Sequence, residues 1–161
     1  MIVVSNTTPL IGLAIIERFD LLYQLFGEIH IPRAVFDESV SKGREEGGAK
    51  RQVSSAKWIK TSRIRERLAV EVLLDEMDLG EAETIVLARE IHADWVLMDE
   101  KKGRRKLNEL RLKKIGTVGI LLKAKRAGLV TSIRPDLEQL REHGFSISQN
   151  VIDAVLRQAK E

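Results

Sequence analysis

The chain contains no cysteine, few aromatic residues and no long apolar run. Without cysteine there are no disulfide bonds and no thiolate metal sites. Aromatic residues make up 4% of the chain, too few for a sheet that reads RNA bases by stacking. No apolar run approaches the roughly 20 residues of a membrane helix. Because no signal peptide is visible either, we expect a cytoplasmic protein without a membrane partner.

Histidine is also scarce, and its three positions, His30, His92 and His143, lack the spacing of metal ligands. A zinc enzyme is therefore not expected, and any metal would be held by oxygen ligands. What the chain does contain is 43% hydrophobic residues over 161 positions. That is enough for one domain with a mainly aliphatic core.

The charge is unevenly distributed along the chain. Residues 101–126 contain eleven Lys or Arg and the single acid Glu109, a net charge of +10. Because the whole chain carries +3, the remainder carries −7. A basic segment on an acidic body indicates a local anion-binding surface, although a solvated helix face is an equally good interpretation.

Short apolar runs alternate with helical patterns along the chain, which predicts an α/β fold with a mostly parallel sheet covered on both faces. The predicted strands are Ile2–Ser5, Ile29–Ile31, Trp58–Thr61, Trp95–Met98 and a short one at Ile115. The polar, glycine-containing stretch 42–57 is the expected mobile segment. Residues 131–161 predict two amphipathic helices, which we interpret as a C-terminal helical appendage of the domain formed by residues 1–130.

Polar side chains gather at predicted strand ends and helix starts. Asn6 follows the first strand, Asp99 and Glu100 follow the strand Trp95–Met98, and Glu81 lies in the first turn of a helix. Ligands of parallel sheets bind at the carboxyl ends of the strands, and carboxylate oxygens there can hold a hard divalent cation. With the basic run that starts at Lys101, this pattern suggests metal-dependent cleavage of a nucleic acid.

Each of these residues also has a purely structural interpretation. Asp99 can cap the helix that starts near Lys102, and Asn6 can bond local backbone groups. Glu81 fits a capping box, and it faces away from Glu83, so only one of the two can reach a shared site. Position alone does not choose between Glu81 and Glu83.

Several segments resemble the PIN-domain superfamily, and more narrowly a prokaryotic branch of unknown function that is predicted to bind nucleic acid. They are VVSNTTPLIGLA, IPRAVFDESV, LGEAETIVLA, VLMDEKKGRRKL and GTVGILLKAKRAGLV. The resemblance runs from Ile2 to about Val130, and the C-terminal helices resemble the tail of that branch. It implies a three-layer α/β/α sandwich, and it implies the chemistry of the many PIN domains that are Mg²⁺- or Mn²⁺-dependent ribonucleases.

The resemblance also implies roles for individual residues. Catalytic acids fall on Glu38, Glu81 and Asp99, which favours Glu81 over Glu83. Metal ligands fall on the same three acids together with Asn6 and Glu100, and the hydroxyl near the first acid falls on Thr7 or Thr8. Nucleic-acid contacts are expected from Thr8, Lys101, Lys102, Arg104 and Arg105.

Asn6 departs from the pattern, because PIN nucleases usually have aspartate there and an amide adds neither charge nor a base. We therefore keep two hypotheses: a metal-dependent endoribonuclease, one form of which is the toxin of a toxin–antitoxin pair, and a catalytically weakened relative that binds RNA or protein. The expected partners are RNA, a second copy in a homodimer and, for a toxin, a small antitoxin whose helix would occupy an apolar groove.

Overall fold

A computed structural model describes residues 1–41 and 48–161. Its core is a sheet in which every strand pair is parallel, with the strand order β3-β2-β1-β4-β5. The strands are β1 Val3–Ser5, β2 Ile29–Pro32, β3 Ile59–Ser62, β4 Trp95–Leu97 and β5 Lys114–Ile115. The predicted parallel α/β fold is confirmed, with β3 at one edge and β5 at the other.

Helices connect and follow the strands. They are α1 Thr7–Ile15, α2 Asp20–Phe26, α3 Arg33–Ser41, α4 Ala49–Ser55, α5 Arg67–Leu73, α6 Leu79–Glu90, α7 Lys101–Glu109, α8 Thr117–Arg126, α9 Arg134–Glu142 and α10 Gln149–Gln158. None of the helices in the described ranges is both long and apolar enough to span a membrane. The sequence predicts a mobile stretch at residues 42–57. Positions 42–47 of this stretch lie outside the described residues, and most of the remainder forms α4.

The strands bury both of their faces, which explains why they are short apolar runs without polar alternation. Val3 and Val4 point to opposite sides because successive side chains of a strand alternate. Val3 joins a core formed with α1, α2, α8, α9 and α10, whereas Val4 joins a second core formed with α5, α6 and α7. The result is the expected three-layer α/β/α sandwich.

The two C-terminal helices share the first of these cores. Leu137 and Leu140 of α9 and Leu156 of α10 are buried in the same apolar cluster as side chains of α1 and α8. The carboxylate of Glu161 accepts hydrogen bonds from the Ser132 hydroxyl and from the first backbone amides of this region. These contacts fix α9 and α10 against the body, while the division of the chain at residue 131 stays a prediction.

Candidate active site

The carboxyl ends of the two central strands bring Asn6 close to the segment that follows β4. The backbone amide of Asn6 donates to the Leu97 carbonyl over 3.0 Å, which extends the pairing of β1 with β4 by one residue. β4 ends one residue earlier than predicted, so Asp99 and Glu100 lie in the connection to α7. This places the side chains of Asn6 and Glu100 at the same edge of the sheet.

Asn6 and Glu100 are in direct contact. The Asn6 amide nitrogen Nδ2 donates to Glu100 Oε2 over 3.0 Å, and the hydroxyl of Thr8 donates to Glu100 Oε1. On its other side, Asn6 Oδ1 accepts a long hydrogen bond of 3.5 Å from the Thr84 hydroxyl. The amide is 4% exposed, so its partners fix its orientation, with the nitrogen toward the carboxylate.

Glu38 reaches this edge from α3. Its Oε2 accepts a hydrogen bond of 3.1 Å from the Thr7 hydroxyl, and its carboxylate lies against the backbone of Gly80 at the start of α6. A Cβ atom at position 80 would overlap Glu38 Oε1. Glycine at this position therefore lets the first turn of α6, which carries Glu81, approach Glu38 closely.

Glu81 completes a group of carboxylates that we call the acid cluster: Glu38, Glu81 and Glu100. Burial, and after it the nearby carboxylates of Asp78, Glu100 and Glu38, together raise the pKa of Glu81 from 4.5 to about 7. Repulsion of this kind requires that the carboxylates lie close together. The cluster thus has an excess of negative charge that a cation or a proton would relieve.

This pKa gives the folded protein a specific pH dependence. Between pH 4.5 and about 7, folded Glu81 binds more protons than unfolded Glu81, so the free energy of unfolding should fall as the pH rises through this window. The stabilising effect is complete below the unfolded pKa and is lost above the folded pKa. Urea unfolding of the metal-free protein at several pH values measures it.

Glu81→Gln should flatten the pH dependence over this window, because glutamine does not titrate. Glu71→Gln, which changes an exposed glutamate of α5 outside the cluster, is the control and should keep the slope of the natural protein. If natural protein and Glu81→Gln lose stability in parallel between pH 5 and pH 7, roughly the span of the raised pKa, the described environment of Glu81 is wrong.

The neighbouring acid Glu83 has a different environment. Its Oε1 accepts from the Ala34 backbone amide at 3.0 Å, and its Oε2 pairs with an Arg67 guanidinium nitrogen at 2.7 Å. These contacts join α6 to the start of α3 and to α5. Glu83 is therefore occupied by structural partners, and of the two acids it is Glu81 that interacts with the other members of the cluster.

The carboxylate of Asp99 is bound by the start of α8. Its two carboxylate oxygens accept from the backbone amide of Thr117 at 2.8 Å and from the Thr117 hydroxyl at 2.7 Å. Burial and the nearby charge of Glu100 raise the pKa of Asp99, while the Thr117 hydrogen bonds and the charge of Arg104 act in the opposite direction. Asp99 thus caps α8, whereas the structural interpretation from sequence had it capping the helix near Lys102.

The basic residues of α7 do not form one surface. Lys101 lines the same groove as Asp99 and Glu100, and the Arg104 guanidinium donates to the Met98 carbonyl over 2.9 Å. Lys102 and Arg105 line a separate cleft on the other side of the helix, next to Asp75 and Glu76. Of the predicted phosphate ligands on α7, Lys101 is the one placed in the groove of the acids.

The donor set suits a hard divalent cation by its chemistry. Glu38, Glu81 and Glu100 offer carboxylate oxygens and Asn6 offers an amide oxygen, the ligands that Mg²⁺ and Mn²⁺ prefer. Within residues 1–41 and 48–161, no three His, Asp or Glu side chains are arranged so that they could hold a metal ion. The hydrogen bonds from Thr7, Thr8 and Asn6 occupy carboxylate oxygens instead, and a cation would replace them.

Two residues at this edge were not predicted from sequence. Thr84 lies one turn after Gly80 in α6 and contacts both the Gly80 carbonyl and Asn6 Oδ1. Thr117 holds Asp99. A buried threonine inside an apolar helix face carries no sequence signal of its own, and nothing in the sequence around Thr117 indicates that it contacts Asp99.

A protein-family model described as a PIN domain matches residues 2–161. The chain therefore belongs to the PIN-domain superfamily, and its C-terminal helices are part of the match. PIN domains have a nuclease-type fold, they are associated with nucleic acids, and they generally depend on divalent metals. No match to the chain was found among curated proteins or among solved structures.

Proposed function

We propose that the protein is a metal-dependent endoribonuclease whose cation is held by the acid cluster. The observation that carries this proposal is that Glu38, Glu81 and Glu100 meet beside Asn6, where burial and then the nearby carboxylates raise the pKa of Glu81 to about 7. Such crowding of one buried and two half-buried carboxylates is unfavourable for folding and is typical of functional sites. Mg²⁺ or Mn²⁺ is the proposed cofactor, and single-stranded RNA the proposed substrate.

Each residue has a distinct part in this proposal. The three carboxylates hold the cation. Asn6 Oδ1, which now faces Thr84, would add a neutral oxygen once the amide turns to point it at the cation. When bound, the cation would lower the pKa of a water molecule and stabilise the negative charge that develops on the phosphate. Thr7 and Thr8 hold the carboxylates of Glu38 and Glu100 through the hydrogen bonds that they donate until the cation binds, and Lys101 positions the RNA backbone.

A second candidate function, a binding module with weakened chemistry, is favoured by one contact. Asn6 Nδ2 donates to Glu100 Oε2, so the amide satisfies a carboxylate that aspartate would repel. In this alternative the hydrogen bonds of Asn6, Thr7 and Thr8 replace the cation as the force that holds the acids together. RNA or protein would then bind without cleavage. The toxin role, an antitoxin partner, the homodimer and the cytoplasmic location stay predictions.

The deciding experiment is cleavage of single-stranded RNA with Mn²⁺ and with chelator. We expect cleavage by the natural protein that stops in chelator, and that falls on the order of a hundredfold in Glu81→Gln. Glu71→Gln, with an exposed glutamate changed on α5, should cleave like the natural protein. Cleavage that survives chelator, or that Glu81→Gln leaves unchanged, contradicts the proposal, and bound RNA without any cleavage favours the binding module.

A further inference from the structure

A groove runs from the acid cluster toward the C-terminal helices. It has a volume of about 770 Å³, and one end of it is formed by Glu100 and Lys101. The other end is formed by apolar side chains of α8, α10 and the loop between α9 and α10, namely Val118, Phe145, Ile147 and Val151. This volume falls in the range of sites for small ligands, roughly 300–1,000 Å³.

The loop wall is held in place by several contacts. The ring of Phe145 packs on α1 at Gly12, where a Cβ atom would lie 2.6 Å from Phe145 Cζ. The Arg141 guanidinium donates to the Ile147 carbonyl over 3.1 Å. The Ser148 hydroxyl accepts from the backbone amide of Val151 and so caps α10. These contacts pre-form the groove, so a ligand does not have to order the loop.

We infer that this groove holds one unpaired nucleotide of single-stranded RNA, with its base on the apolar side chains and its phosphate beside Lys101. The inference rests on the proposed function and names the subsite that receives the substrate next to the acid cluster. Thr8 and Thr117 lie at the same end as Lys101, where their hydroxyl groups can meet the ribose.

The division of the groove into a charged end and an apolar end supports this occupant. Lys101 offers a positive charge to a phosphate, while the carboxylates of Asp99 and Glu100 at the same end accept hydrogen bonds from Thr117, Thr8 and Asn6. A nucleobase has flat apolar faces that pack on Phe145, Ile147 and Val151. Bases of duplex RNA are paired and stacked, and they do not reach into a groove, while unpaired bases can be splayed out. The groove therefore selects single strands over duplexes.

The test measures RNA binding without cleavage, in chelator, by fluorescence anisotropy of a labelled single-stranded RNA of about ten nucleotides. Val151→Asp places a charge in the apolar end, and Val72→Asp makes the same change at a more exposed valine of α5 outside the groove. We expect Val151→Asp to weaken binding at least about fivefold relative to Val72→Asp. Binding of a duplex of the same length should be equal in the two variants.

Lys101→Ala tests the charged end against Lys60→Ala, which removes an exposed lysine on β3. Lys101→Ala should reduce the slope of log affinity against log salt by about 0.7 more than Lys60→Ala does. The inference is overturned if the natural protein does not bind the single strand, if both aspartate variants weaken binding equally, or if both lysine variants have the same slope. If the natural protein still cleaves RNA with Mn²⁺, that result overturns the subsite alone.

Discussion

Asn6→Asp is expected to raise Mn²⁺-dependent cleavage of single-stranded RNA, and to tighten Mn²⁺ binding, by about tenfold or more. The substituted carboxylate would lie beside Glu100, where the amide nitrogen now donates at 3.0 Å. Repulsion between this carboxylate and Glu100 would therefore replace the hydrogen bond, and a divalent cation would relieve the repulsion. Without metal, the same repulsion should lower the thermal unfolding temperature.

The comparison protein for this prediction is Asn6→Ala, which removes the hydrogen bond to Glu100 without adding charge. It should lose stability like Asn6→Asp in chelator, but Mn²⁺ should restore little of that loss. An Asn6→Asp protein that neither binds Mn²⁺ more tightly nor regains stability with Mn²⁺ would show that the acids serve a binding or structural role.

Glu100→Gln and Asp99→Asn are expected to differ strongly although the two residues are adjacent. Glu100 belongs to the acid cluster, so Glu100→Gln should reduce cleavage and Mn²⁺ affinity on the order of a hundredfold. Asp99 accepts two hydrogen bonds from Thr117, so Asp99→Asn should act mainly by loosening the start of α8. Its first effects should be a lower unfolding temperature and weaker RNA binding.

Thr117→Val separates the two possible roles of Asp99. It removes the hydroxyl donor of Asp99 but leaves the carboxylate, so a capping role predicts the same loss of stability as Asp99→Asn and retained Mn²⁺ affinity. If Asp99→Asn instead abolishes Mn²⁺ binding while Thr117→Val and Glu100→Gln keep it, then Asp99 is the metal ligand that the family resemblance implies. The assignment of Asp99 to capping and of Glu100 to the metal is then incorrect.

The fold was largely predictable from sequence because each strand is a short apolar run between helical patterns. Val3 and Val4 must both be buried, and only a sheet covered on both faces does this for adjacent residues. Boundaries were less predictable. β4 ends at Leu97, although the backbone amide of the buried Met98 still donates to the Ile115 carbonyl of β5 over 3.0 Å. Hydrophobicity alone does not indicate the residue at which a strand ends.

The sequence predicted which residues lie near the candidate site, but it did not predict the directions in which their side chains point. Sequence placed Asp99 and Glu100 at one sheet edge, yet which of them faces Asn6 depends on backbone turns that no periodicity encodes. The same holds for Lys101 and Lys102, which are about 100° apart around α7 and line different clefts. Partners such as Thr117, distant in sequence from Asp99, are fixed only by the tertiary fold.

The central claim is that Glu38, Glu81 and Glu100 together hold a divalent cation. Calorimetric titration of the natural protein with Mn²⁺, beside Glu81→Gln and the control Glu71→Gln, tests it most directly. We predict saturable binding of Mn²⁺ to the natural protein and to Glu71→Gln, and binding weaker by at least about tenfold in Glu81→Gln. The absence of binding heat in the natural protein, or equal affinities in all three proteins, would contradict the claim.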